Sequence, residues 1–426
     1  MSLNEAKIAL VAQIFAAAPN AAVDRLEALL SAAHTADPTL EPVYTLATRE
    51  ADARRALAAV FAPLLSMTGP VVAPKRSVLA MRQLRDAWNR LSAGDPGLAE
   101  CATFAARAMR PGDDPPHEFD LACRRAAELV GEHDPELTRL LRLTPVLRAV
   151  QPRLAGWVRA VTGETVAAIR LAFKDAIDTD ENAGPLFWDA VMSMLDEPWR
   201  VLRLISAATD RPSDRFLAAS ELAPIGERII SDLDERLNSL KRFDPTGGAE
   251  AGAAAAASLM ISVHAVDEFE QWLAMKKDGP WGMRIVAAKA ALAGVMESRL
   301  RETEPAVAAA LPTQARGMIK AVRPAPKLAD PPEPVLVARA DAFLTLLHDG
   351  RVAANTGGFA AARARTVEAL EKRLDQYSED LLDLLHRKEF DDLDRVRAYL
   401  EVVAVFYQRV KGAEAAQIVR RRAAAA

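Results

Sequence analysis

Apolar residues recur three and four positions apart along most of this chain, the spacing that puts them on one face of an α-helix. Val23, Leu26, Leu29, Leu30 and Ala33 form one such face, and Val78, Met81, Leu84, Trp88 and Leu91 another. The middle repeats the pattern with Val166, Ile169, Phe173 and Ile177, then Ile225, Ile229, Leu233, Leu237 and Leu240. Near the end, Val367, Leu370, Leu374, Tyr377, Leu381 and Leu384 are followed by Leu393, Val396, Leu400, Val403, Tyr407 and Val410 at nearly the same spacing. A short polar turn, His386-Arg387-Lys388-Glu389, separates the last two stripes, so they read as an antiparallel helical hairpin.

The punctuation between stripes is that of helix ends. Ser2-Leu3-Asn4-Glu5 has the spacing of a capping box, and Asp134-Pro135 places an N-cap before a proline at the first helical position. Asp278-Gly279-Pro280 is similar, and Gly94-Asp95-Pro96-Gly97 closes one helix before the next. Pro63 removes a donor and predicts a kink or an end within the pattern that starts near Pro42. Loop 110–116 separates helices bearing Phe104 and Phe119. No run alternates apolar and polar residues with β-branched enrichment, so no strands are expected beyond a stray pair. Counting turns predicts roughly 15–18 helices. The fold class is therefore all-α: an irregular multi-helix array, solenoid-like or built of stacked bundles, ending in a C-terminal antiparallel hairpin module. Leu233–Leu240 resembles Leu370–Tyr377, but both simply obey amphipathic spacing, and no fixed repeat period emerges.

Two breaks suggest boundaries. Phe243–Ala249 is rich in turn residues, and 323–334 holds five prolines in twelve residues, which rules out a continuous helix there. The expected organisation is an N-terminal array over 1–243, a central helical segment over 249–322, a proline-rich linker over 323–334 and an end module over 335–426.

Composition sharpens this reading. Half the residues are apolar but only 5% are aromatic, so the core is built largely from Ala, Leu and Val, which let helices approach closely. A net charge of −4, from 54 basic and 58 acidic residues, lacks the basic excess of a nucleic-acid binder. Two cysteines, Cys101 and Cys123, provide no disulfide framework, and the N-terminus lacks the pattern of a signal peptide. The most apolar stretch, Ala251 to Val266, reads as too short to span a bilayer. A cytoplasmic location is the expectation.

Candidate chemistry is sparse. Asp178, Asp180, Asn182 and Asp189 occupy positions 1, 3, 5 and 12 of an EF-hand-like loop, the spacing that gathers oxygen ligands around calcium. Ala183 stands where the turn glycine belongs and Pro185 follows, so helix capping is the better reading. Asp113-Asp114 and Asp391-Asp392 lack the third acid of a magnesium-diphosphate element, their fifth places being His117 and Arg395. Asp383-x-x-His386 occurs once, short of the paired motif of a di-iron bundle. There is no Walker loop, dinucleotide fingerprint or nucleophile elbow. No cofactor is expected. Arg49, Arg54 and Arg55, and Lys75, Arg76, Arg82 and Arg85, are interspersed with Glu50, Asp52 and Asp86 and read as mixed surface. Arg420-Arg421-Arg422 is the densest basic run and the one place where peripheral membrane contact is suggested.

The hairpin's second helix carries Tyr399, Val402 and Phe406 beside its main stripe, more apolar width than one partner helix covers. Those three residues are core or the seat of a protein partner. The expected function is a non-catalytic intracellular scaffold or protein-protein interaction protein. An all-α enzyme with an interhelical pocket and a peripheral membrane protein are the alternatives.

Overall fold

The computed structural model describes residues 5–69, 75, 78–110, 112–209, 213–316, 323–387 and 390–426. It is an all-α protein with one two-stranded hairpin, and it divides into two compact units, Met1–Arg211 and Pro212–Ala426. Most of the proposed capping box and half of the turn at 386–389 lie outside the described residues.

The first unit contains α1 (Glu5–Ala17), α2 (Asn20–Ala33), α3 (Glu41–Val60), α4 (Ala62–Leu65), α5 (Met81–Gly94) and α6 (Pro96–Ala108). It continues with α7 (His117–Val130), α8 (Pro135–Val150), α9 (Leu154–Arg159), α10 (Gly163–Thr179), α11 (Gly184–Met194) and α12 (Val201–Ala208). Turn-counting misses short pieces such as α4 and α9, which are too brief to show a period. The local signals act where expected. Asp95 accepts from the Leu98 amide at 3.2 Å with Pro96 opening α6, and Asp134 accepts from Leu137 at 3.1 Å with Pro135 opening α8. Pro63 ends the long third pattern by restarting it: α3 stops at Val60, and Pro63 sits in the first turn of α4, where its missing donor costs nothing. The core is built on Phe61, Trp88, Phe119, Phe187 and Trp188.

Arg148 of α8 holds this core together from inside. Its guanidinium donates to the Ala59 and Val60 carbonyls at the end of α3, at 3.0 and 2.5 Å, and to Asp120 at 3.1 Å. It also lies over the Phe119 ring, 5.4 Å from the centroid.

The second unit contains α13 (Asp214–Ala218), α14 (Ala223–Lys241), α15 (Gly248–Trp272), α16 (Pro280–Ala310), β1 (Thr313–Arg316), β2 (Arg323–Pro326), α17 (Pro334–Asp349), α18 (Ala360–Arg387), α19 (Leu393–Val410) and α20 (Ala413–Ala425). Helices α15 and α17 approach closely where Gly252 leaves no side chain between α15 and the Ala342 carbonyl. The α15 helix runs well past the apolar stretch 251–266, and this corrects the reading of that stretch as too short. Among the described residues it is the one helix long and apolar enough to cross a bilayer. In this unit its Leu259, Val263, Val266 and Phe269 are buried, with α14, α16 and α17 packed around it, while Ala253, Ala254 and Ala257 are exposed.

The strands pair antiparallel, Thr313 opposite Pro326 and Arg316 opposite Arg323. The proline-rich stretch that follows is tied down. Ala325 and Leu328 are buried, Arg395 donates to the Leu328 and Ala329 carbonyls, and Tyr399 donates to the Asp330 carbonyl at 3.1 Å. Helices α18 and α19 form the antiparallel hairpin, with α17 packed on α19 and α20 packed on both.

Candidate functional site

In the first unit α3, α5 and α6 leave between them an open groove of about 650 Å³. Helical spacing builds its walls. Tyr44, Thr48 and Asp52 stand four residues apart on α3, Trp88 and Ser92 do so on α5, and Thr103 and Arg107 do so on α6. Ala53 and Ala99 are small enough to keep the channel open between them. Trp88 forms the apolar floor and is 5% exposed, whereas Phe104 stands at the rim with 73% of its surface in solvent.

Electrostatics divide the walls into committed and uncommitted groups. Asp52 is buried and receives Arg107 through Nε at 2.6 Å and a second guanidinium contact, with Arg55 3.5 Å away. This fork fixes α6 to α3. Ser92 and Thr103 donate to carbonyls of their own helices, Trp88 and Ala99, at 3.0 and 2.7 Å. Tyr44 is stacked on His34 with centroids 4.0 Å apart. Other lining groups remain uncommitted among the described residues. Arg49 and Glu100 form no ion pair there, and the Thr48 hydroxyl is buried without a hydrogen-bond partner. The groove therefore offers an aromatic floor and rim, an unpaired cation and an unpaired carboxylate, and an open hydroxyl, a set suited to holding a ligand with an apolar face and polar ends.

The residues singled out from the sequence lie elsewhere. Asp180 accepts from the Asn182 amide at 2.9 Å and pairs with Arg139 at 3.3 Å, while Asp178 belongs to the last turn of α10 and Asp189 is buried within α11. Pro185 starts α11 where a calcium loop would remain extended, so these four residues do not converge. Among the described residues no three acids, histidines or cysteines are grouped to hold a metal. Asp392 caps α19 through the Arg395 amide at 3.0 Å.

Tyr399 and Phe406 are interior residues of the second unit, and Val402 is half-buried. The extra width of α19 is covered by this chain's own α17, α18 and α20, which corrects the placement of Tyr399 and Phe406 on a partner-binding surface. Of the three C-terminal arginines, all exposed, Arg420 pairs with Glu401 and Arg422 with Glu379, while Arg421 donates to the Gln417 carbonyl of its own helix at 3.4 Å.

The groove was not legible beforehand. Arg49 and Asp52 read as mixed surface and Phe104 as an ordinary helical residue, because nothing in one sequence tells which face of α3 meets α6. Compared with family models, with curated proteins and with solved structures, the chain gives no match.

Proposed function

We propose that this chain is a non-catalytic interaction protein whose first unit holds a segment of another protein in the groove between α3, α5 and α6. The observation that carries this reading is the pairing of the buried Trp88 floor with the solvent-exposed Phe104 rim beside an uncommitted Arg49. Exposing most of a phenylalanine costs about 2 kcal/mol relative to burying it, and an apolar anchor beside a free cation is the composition of an interface centre. Two of the wall hydroxyls favour this over chemistry, since Ser92 and Thr103 are bonded to their own backbone rather than to a base.

Affinity purification from the native cell tests the proposal. Proteins recovered with the unaltered chain should be lost with Phe104→Asp and with Arg49→Glu, and retained with Phe216→Asp, a 60% exposed residue of the second unit. Recovery unaffected by both groove substitutions refutes it.

One observation favours a second reading, peripheral membrane association. Helix α1 is apolar, and its Leu10 and Ile14 are 58% and 56% exposed. Flotation with anionic vesicles that is lost on Leu10→Asp plus Ile14→Asp supports that alternative, and no flotation removes it.

A further inference from the structure

Helix α20 is held differently from every other long helix of the second unit. Only Ala416 and Val419 of its side chains are buried. Beyond its backbone packing on α19, its side-chain bonds to the unit are ionic. Arg420 donates to both carboxylate oxygens of Glu401 on α19 at 2.5–3.0 Å, and Arg422 forks Glu379 on α18 at 2.5 and 2.9 Å. The seat is thus an acidic strip laid across two helices and filled by a basic, alanine-rich one. The Arg422 hydrogen bonds hold the Glu379 carboxyl below its ordinary range, in keeping with a formed ion pair.

The connection to α19 is two residues long. Lys411 and Gly412 both donate to the Tyr407 carbonyl, at 2.7 and 3.0 Å, and Gly412 then turns the chain back at φ +94° and ψ 174°. A β-carbon on Gly412 would meet nothing within 4 Å, so glycine is required there by its dihedral angle and not by space. The flanking residues, Gln408-Arg409-Val410-Lys411 and Ala413-Glu414-Ala415-Ala416, mostly favour helix. With Gly412 at helical angles, α19 and α20 become one continuous helix and the acidic seat is vacated.

We propose that α20 is an exchangeable element: two copies of this chain trade it, each laying its α20 on the Glu379–Glu401 seat of the other. Every contact made within one chain is remade between two, so the exchange closes as a two-fold dimer. The short glycine hinge sets the balance between the folded-back and exchanged forms.

Paired charge reversal in the full chain tests this. Glu401→Arg and Arg420→Glu each place like charges between α20 and its own seat. In an exchanged heterodimer of the two variants, both seats regain an opposite pair. After the separately purified variants are incubated together, native mass spectrometry should show a one-to-one complex at twice 46.0 kDa. It should form slowly, because each α20 must first leave its own seat. A mixture that stays monomeric overturns the proposal. So does a complex that forms at once on mixing, which is a surface charge contact without exchange. Gly412→Ala in the otherwise unaltered chain is the second arm. Its circular dichroism should remain helical while the dimer fraction rises several-fold, and an unchanged monomer contradicts the exchange.

Discussion

At the scale of single residues, the arginines explain how an alanine-rich chain ends so many helices. Arg54 and Arg85 donate to carbonyls at the end of α1, Arg148 to those ending α3, and Arg170 to the Ala207 carbonyl ending α12. Arg203 serves α9 in the same way, Arg299 serves α14 and Arg363 serves α17. The last carbonyls of a helix lack intrahelical partners and carry its negative pole, so a planar cation satisfies several at once. Arg148→Ala removes such a cap from a buried site and should lower unfolding free energy by about 2–3 kcal/mol in chemical denaturation. Arg49→Ala, which removes a free surface arm, should change it by less than about 0.5 kcal/mol. Cys123 gives a second prediction at this scale. Burial pushes its thiol from 9.0 up to about 12. A raised folded value means a contribution to stability that is complete below pH 9 and is lost as pH climbs from 9 towards 12. Cys123→Ala should therefore flatten the fall in stability over that window. At neutral pH a thiol reagent should modify only the exposed Cys101 until the chain unfolds.

At the scale of elements, apolar spacing and turn residues carried the fold class, the C-terminal hairpin, the close of α5 at Gly94 and the proline-opened start of α8. It did not carry which helix lies on which, since a 3–4 stripe names a buried face without naming its cover. Leu26 and Leu29 show this limit: both sit on the predicted face of α2, yet only Val23 of that helix is buried and Leu29 is 67% exposed. Phe406 shows it in reverse, a residue outside the main stripe that is wholly interior because α19 is covered on several sides. The close contact of α15 with α17 was invisible for the same reason, and it yields a sharp test. A β-carbon on Gly252 would lie 2.3 Å from the Ala342 carbonyl. Gly252→Val should therefore force the helices apart and cost about 1–3 kcal/mol, measured as a lowered midpoint, whereas Ala253→Val on the exposed face should shift it little.

At the scale of the whole molecule, the chain is two units that each contain their own core, one built on Trp88, Phe119 and Trp188 and the other on Phe269, Trp281 and Phe343. Chains of about this length bury enough surface to fold alone. Residues 1–211 and 212–426, produced separately, should each give a helical spectrum and a cooperative melt, and a fragment without either would contradict the division. The functional claim rests on the first unit. Its most direct test is a photo-reactive phenylalanine analogue placed at position 104 and, separately, at position 216, with irradiation in the native cell. The account predicts a discrete protein adduct from 104, lost when Arg49 is changed to Glu, and none of that adduct from 216. No adduct at 104, or the same adducts from both positions, contradicts the groove as an interaction site.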